Sequence, residues 1–280
     1  MAKIIFLVQI LNRKCEKQMI NYNRNQNKEN AEKHEQLINK IFKKQIEDSI
    51  ANTKLYDQKN VKPSAGKLSA NVLVQNLDTY NAAVKAFKTF KGSKIAVLNF
   101  ADYRDAGGGY LRGSMAQEEA ICGQSTLYPV ISKQKDYYAY NEKHMNHGIY
   151  LDRALYSPSI LWGTSTRPLA KTDVITCAAP RKSRGKYMKN EQAQTRYYKE
   201  ADEALEKRME FVKQIAETEK VDVLILGAWG AGAFGFDAKD VAEMWKRVFS
   251  KPTSIKQVIF AIINDKRSNQ AYTAFEETFK

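Results

Sequence analysis

The sequence predicts an α/β protein with helices on both faces of a largely buried sheet. Three observations carry that expectation. Continuous Val/Ile/Leu runs such as KIAVLNF, VDVLILG and KQVIFAII are long enough for strands and too short for membrane spans. Segments with helical spacing separate them, the alternation expected of a layered α/β fold. Gly-rich loops directly follow two of the runs, at Phe100 and Gly227, where open α/β sheets place their ligand sites.

Taken in order, Ile4 to Leu11 reads as an opening strand and residues 12–34 as a polar, loosely ordered arm. From Glu35 to Tyr56 the apolar residues Leu37, Ile38, Ile41, Phe42, Ile46 and Ile50 keep helical spacing. Pro63 and Gly66 mark a break, which divides the chain into an N-terminal extension (1–66) and a main domain (67–280). Asn71 to Gln75 is a strand, Thr79 to Phe90 a helix and Lys94 to Phe100 a buried strand. A Gly-rich loop to Gly113 follows, then a helix from Ala116 to Leu127. Residues 128–172, punctuated by Tyr and Pro, read as irregular. Then come a strand (Asp173 to Ala178), a basic loop (181–190), a long amphipathic helix (Glu191 to Glu219) and a strand (Val221 to Gly227). A second Gly-rich loop to Gly235, a helix (Ala238 to Phe249) and a last strand (Lys256 to Ile263) complete the series.

The chain has 280 residues, enough to bury a sizeable core, and its 14 Gly and 6 Pro exclude a fibrous or globally disordered protein. Its net charge of +14 favours polyanionic partners, so nucleic-acid binding is one open class. Cys15, Cys122 and Cys177 form neither a disulfide framework nor a zinc pattern. The longest apolar run, Ile4 to Leu11, is interrupted at Gln9 and lacks a cleavage site; a cytoplasmic protein without membrane contact is expected.

Two segments can carry chemistry. In the first, Gly107, Gly108 and Gly109 let the backbone turn freely and approach a ligand, and Gln117-Glu118-Glu119 follow seven residues later. Adjacent helical residues point roughly 100° apart, so one carboxylate can aim at a bond while the other reaches elsewhere on the ligand. Paired carboxylates in a cleft raise each other's pKa, which suits a general acid. The same pair also suits an ordinary helix N-terminus. The second segment, GAWGAGAFG from Gly227 to Gly235, allows close backbone approach to phosphate, with Trp229 and Phe234 available to wall a site. It is neither a dinucleotide fingerprint nor a Walker A loop.

Together these motifs resemble the microbial-type poly(ADP-ribose) glycohydrolases of the macrodomain superfamily, whose signature is GGG, a six-to-eight-residue spacer, then QEE. Asn99-Phe100-Ala101, Leu127-Tyr128-Pro129, the TCAAP stretch and GAWGAGAFG are similar to further family segments, over roughly Val72 to Ile263. The resemblance implies a macrodomain-like three-layer α/β/α sandwich with a mixed central sheet and an N-terminal helical extension. It implies hydrolysis of ribose–ribose bonds in poly(ADP-ribose), releasing ADP-ribose, without a cofactor or metal. Glu119 would protonate the leaving oxygen and then activate water, and Glu118 would hold a ribose hydroxyl. Gly107 to Gly109 would approach the distal ribose and diphosphate, with Gln117 as a further substrate-binding residue. Gly230, Ala231, Gly232, Ala233, Phe234 and Gly235 would wrap the diphosphate, with Phe234 positioning the terminal ribose, Asn99 would contact that ribose, and Asp78 would accept from the adenine amino group. Asp78 equally fits a helix N-cap. Ala231 stands where the family usually has Cys, and Phe236-Asp237-Ala238 replaces Asn-Asp-Pro, which touches the pocket rim and the next helix start. Release of single ADP-ribose from protein or nucleic acid, and non-catalytic ADP-ribose binding, are the alternatives.

Overall fold

The computed structural model describes residues 23–62, 66–163, 166–265 and 269–280. Seven strands among them form one sheet: β1 (Lys54–Asp57), β2 (Asn71–Gln75), β3 (Ile95–Phe100), β4 (Arg153–Trp162), β5 (Ala170–Cys177), β6 (Val223–Leu226) and β7 (Gln257–Ala261). Their order is β1-β4-β5-β3-β6-β7-β2. The five strands from β5 to β2 run parallel, while β4 and the edge strand β1 pair antiparallel, so the sheet is mixed.

Strand periodicity explains the layers. Successive side chains point to opposite faces. In β3, Ala96 and Leu98 enter one core while Ile95 and Val97 enter the other; β6 divides Leu224 and Leu226 from Val223 and Ile225 in the same way. The first face is covered by α7 (Glu191–Thr218), α8 (Ala238–Phe249) and α9 (Asn269–Thr278). The second carries α1 (residues 23–41), α2 (Lys43–Asn52), α3 (Thr79–Thr89), α4 (Gln117–Cys122), α5 (Leu127–Ile131) and α6 (Lys135–Lys143). The outcome is a three-layer α/β/α sandwich with N-terminal helices.

Several elements depart from the sequence reading. The expected opening strand, Cys15 and the first half of the polar arm lie outside the described residues. Residues 23–34 are helical rather than loosely ordered, because Ala31, His34 and Ile38 give that polar helix a narrow buried stripe. The helix expected over Glu35 to Tyr56 breaks at Phe42 and ends at Asn52, and Lys54–Asp57 becomes strand β1 beside β4. Residues 128–172 are not irregular: they hold α5, α6, β4 and the start of β5. The helix expected from Ala116 to Leu127 stops at Cys122 before Gly123. The C-terminal α9 had no sequence reading; it docks through Phe275 against Phe260, ring centroids 4.9 Å apart, a burial worth roughly 1.5–3 kcal/mol.

Candidate active site

The site begins where β3 and β6 part. Their pairing ends at Val97 opposite Ile225. Beyond it the chain leaves β3 toward β4 and β5 on one side, and β6 leads toward β7 on the other, a topological switch point. The Gln117 side chain completes the free edge of β3. Its Oε1 accepts from the Phe100 N–H (2.9 Å) and its Nε2 donates to the Leu98 carbonyl (2.9 Å). Gln117 thus acts as a one-residue strand partner and fixes the N-terminus of α4 against the strand end.

With α4 anchored, Glu118 and Glu119 fall beneath the first Gly-rich turn. Glu118 accepts from Asn99 Nδ2 (3.0 Å) and the Asp102 N–H (2.7 Å). Glu119 accepts from the Gly109 N–H (2.8 Å) and the Ala116 N–H (3.0 Å), the latter bond also capping its own helix. Gly108, at φ +57°, leaves no room for a side chain. A Cβ there would meet Glu119 Oε1 at 2.7 Å and Glu118 Oε2 at 3.2 Å, so both carboxylates flank one spot. Glu118 is 3% exposed and Glu119 9%. Burial pushes Glu118 up to about 8, against the hydrogen bonds from Asp102 and Asn99, with the Glu119 charge adding to the rise. No described ion pair involves either acid.

Alongside lies a cavity of about 1350 Å³ whose walls include Asp78, Phe100, Gln117, Ala231, Gly232 and Phe236. It spans the carboxyl ends of β2, β3, β6 and β7. Glu118 and Glu119 do not line it; they sit one step beyond its Ala116–Gln117 wall. The second Gly-rich loop forms the opposite wall. Gly230, Gly232 and Gly235 take φ of +94°, +78° and +90°, and a Cβ on Gly232 would meet nothing within 4 Å, so its backbone stands open. Asp78 caps α3, accepting from the Asn81 N–H (2.7 Å) and Asn81 Nδ2 (2.8 Å), and lines the cavity as well. Both readings of that residue therefore fit one position.

The structure brings Gly107, Gly108, Gly109, Gln117, Glu118 and Glu119 into one cluster. Asn99 is fully buried and faces Glu118 and Thr176 rather than the cavity. Gly232 and Gly235 line the cavity with Ala231, whereas Ala233 faces a separate cleft and Phe234 packs against the α7–α8 core. Trp229 does not wall the site; it is buried near Trp245, centroids 6.4 Å apart, because its side chain turns inward from the strand end. Phe236, noted only as a rim departure, is a cavity wall. Asp237 caps α8 through the Lys239 N–H (2.8 Å), supplying the helix start that the absent proline does not. Cys122 is buried, which pushes its thiol well up and keeps it protonated. Among the described residues, no three His, Cys, Asp or Glu side chains converge as metal ligands.

Comparison with known families gives a match to the microbial-type PARG catalytic domain over residues 17–163. The chain belongs to that family. The matched segment holds the first Gly-rich turn and the acid pair of this PARG-family chain. The second loop lies beyond it. Poly(ADP-ribose) glycohydrolase from Thermomonospora curvata superposes with a TM-score of 0.78 at 23% identity, covering 91% of this chain and all of that one. The same enzyme bound to the inhibitor ADP-HPD gives 0.76, at the same identity and coverage. Poly(ADP-ribose) glycohydrolase from Deinococcus radiodurans in complex with ADP-ribose gives 0.74 at 25% identity, covering 84% of this chain and 97% of that one. Curated proteins give no significant match. No helix among the described residues is long and apolar enough to cross a membrane.

Proposed function

We propose that this PARG-family chain hydrolyses ribose–ribose O-glycosidic bonds of poly(ADP-ribose) and releases ADP-ribose, with Glu119 as general acid and then general base. The observation that carries this reading is the acid pair locked beneath the Gly107–Gly109 turn, one step from a nucleotide-sized cavity. At about 1350 Å³ that cavity exceeds the ~300–1,000 Å³ of ordinary small-ligand clefts. Its family, and the ADP-ribose and inhibitor complexes of its structural relatives, support the same substrate class.

In this reading the adenosine enters between Phe100 and Phe236, with Asp78 accepting from the adenine amino group. The diphosphate crosses the open backbone at Gly232, and the distal ribose reaches Gly108. The acid pair carries one proton at neutral pH, on Glu118 in the empty site, whose pKa is pushed up to about 8. In the reacting complex that proton is on Glu119, which leaves Glu118 ionised. It holds a ribose hydroxyl, and Asn99 orients it. Glu119 is the more exposed member and delivers the proton to the leaving ribose oxygen as the anomeric C–O bond breaks through an oxocarbenium-like state. Water then adds to the anomeric carbon and returns its proton to Glu119, which restores the acid.

Labelled polymer with product chromatography tests this. The parent should release ADP-ribose. Glu119→Gln should lose about 10²–10⁴ of turnover, the usual worth of a general acid–base group, while still binding ADP-ribose by calorimetry. Equal turnover in variant and parent rejects the assignment.

A further inference from the structure

Behind the second Gly-rich loop lies another cleft, of about 390 Å³, lined by His147, Arg181, Ser183, Arg184, Lys186 and Ala233, among others. None of its lining residues is acidic. Other cations of this region are neutralised: Lys182 pairs with Asp202 at 2.6 Å, and Arg208 with Asp152 at 3.0 Å. Arg181, Arg184 and Lys186 make no ion pair among the described residues. Gathering like charges without counter-ions raises the free energy of the empty protein, and an anion from solution relieves it.

The cleft is held in shape before anything binds. The Tyr197 hydroxyl bridges the carbonyls of His147 (3.0 Å) and Arg181 (3.1 Å). The Arg181 N–H donates to the Gly148 carbonyl at 2.7 Å. These are main-chain restraints, so the guanidinium groups can change without releasing the backbone.

Its position relative to the acid pair gives it a role. Ala233 and Ser183 wall the cleft, while their neighbours Gly232 and Gly235 wall the large cavity, so one short loop separates the two spaces. On the other side, the Asp102 N–H holds Glu118, and Tyr103 next to it stacks on Tyr150 with centroids 4.4 Å apart. The charges of Arg184 and Arg181 reach Tyr150, opposing the upward push of burial on its phenol. Asp102, Tyr103 and Tyr150 thus form a path of contacts from the acid pair to the cationic cleft. With the first unit assigned to the large cavity, this cleft is taken as the side for a group attached beyond the scissile bond.

We propose that Arg181, Arg184 and Lys186 form a leaving-group subsite that binds the diphosphate of the next ADP-ribose unit. Planar guanidinium forks match phosphate oxygens in pairs, which a lone lysine does not. The inference rests on the active-site reading above, which places the first unit.

Calorimetry on the Glu119→Gln protein separates the two ideas. The ligands are ADP-ribose, the ribose–ribose-linked ADP-ribose dimer and a short duplex DNA. The dimer should bind at least about tenfold more tightly than the monomer at low salt, and the advantage should shrink as salt rises. Adding Arg181→Gln and Arg184→Gln should abolish the dimer advantage and leave monomer affinity in place, which also reports correct folding. Equal monomer and dimer affinities overturn the subsite alone. Absence of any ADP-ribose binding overturns the active-site reading together with it. A double variant that loses DNA binding yet keeps the dimer advantage assigns the cleft to nucleic acid and rejects the proposal.

Discussion

Two clusters of buried carboxylates sit at opposite ends of β3 and behave in opposite ways. At its start, Glu219 accepts from Lys54 (2.8 Å) and from the Tyr56 hydroxyl, and Lys94 reaches both Glu219 (3.4 Å) and Asp173 (3.6 Å). At its end, Glu118 and Glu119 meet only neutral donors: an amide side chain and three backbone N–H groups. Burial alone would raise Glu219, yet the bonds from Lys54 and Tyr56 and the two lysine charges hold it below the usual carboxylate range. Burial does raise Glu118, to about 8. The same fold therefore keeps one acid ionised, where it ties α7 to the sheet, and the other protonated, where a proton is wanted. Nearby cations, rather than burial, decide which.

The strongest way to break the comparison is to disturb the turn that fixes the second cluster. Gly108→Ala forces a Cβ against Glu119 Oε1 from a left-handed backbone position. Kcat/KM on polymer should fall about 100-fold, the scale expected when a reacting group shifts by around an ångström. Gly232→Ala carries comparable backbone strain, roughly 1–2 kcal/mol, but its Cβ meets nothing within 4 Å. It should lower the melting temperature similarly and affect kcat far less. Any cost of Gly232→Ala in KM reflects the diphosphate assigned to that backbone, so the comparison is read in kcat: equal loss of kcat in the two variants would mean that the turn does not position the acids.

Proton linkage sharpens the contrast with opposite signs. Between about 4.5 and about 8 the folded Glu118 holds a proton that the unfolded chain releases, so its contribution to stability declines as pH rises through that window. The slope reaches at most ~1.4 kcal/mol per pH unit. Glu219, with a lowered pKa, contributes stability that is present above its unfolded value near 4.5 and lost as pH falls. Urea titrations at pH 5, 6.5 and 8 should show the decline in the parent and a flatter profile in Glu118→Gln. Superimposable profiles would refute the protonated state of Glu118.

The family signature was more legible in the sequence than the detailed architecture around it. GGG–QEE announces itself because both parts act locally: glycines permit a turn that other residues do not, and three consecutive helical positions send side chains in three directions. What each side chain touches was less legible. Gln117 reads as a binding residue yet spends both ends of its amide on β3, and the Asp102 N–H that holds Glu118 leaves no trace in residue type. Among the strands, β3, β6 and β7 are continuous apolar runs. β4 is hidden because Pro158 and a bulge between Ser157 and Ile160 interrupt its alternation. α1 is hidden for a different reason: it buries few side chains and contributes mainly hydrogen bonds, Arg24 Nε to the Arg112 carbonyl (3.0 Å) and Asn27 to Gly113 (3.3 Å). Those bonds brace the first Gly-rich loop from outside, so a segment polar in composition supports the site.

The smallest expected effect tests the stabilising cluster on its own terms. Lys94 donates to the Glu219 carbonyl at 2.8 Å, lies near two carboxylates and stands 5.2 Å over the Tyr156 ring. Its side chain is 39% exposed against 8% for Glu219. Full loss of a partner from a buried pair costs about 3–5 kcal/mol, but solvent reaches Lys94 and Lys54 remains beside Glu219. Lys94→Met should therefore cost about 1–2 kcal/mol at pH 7 and move the acid unfolding midpoint upward, as Glu219 becomes easier to protonate. Turnover should stay at the parental level, because the change is made at the opposite end of β3 from Asn99 and the acid pair. If stability holds while turnover falls, the lysine end of the strand is coupled to catalysis and the separation between the two clusters fails.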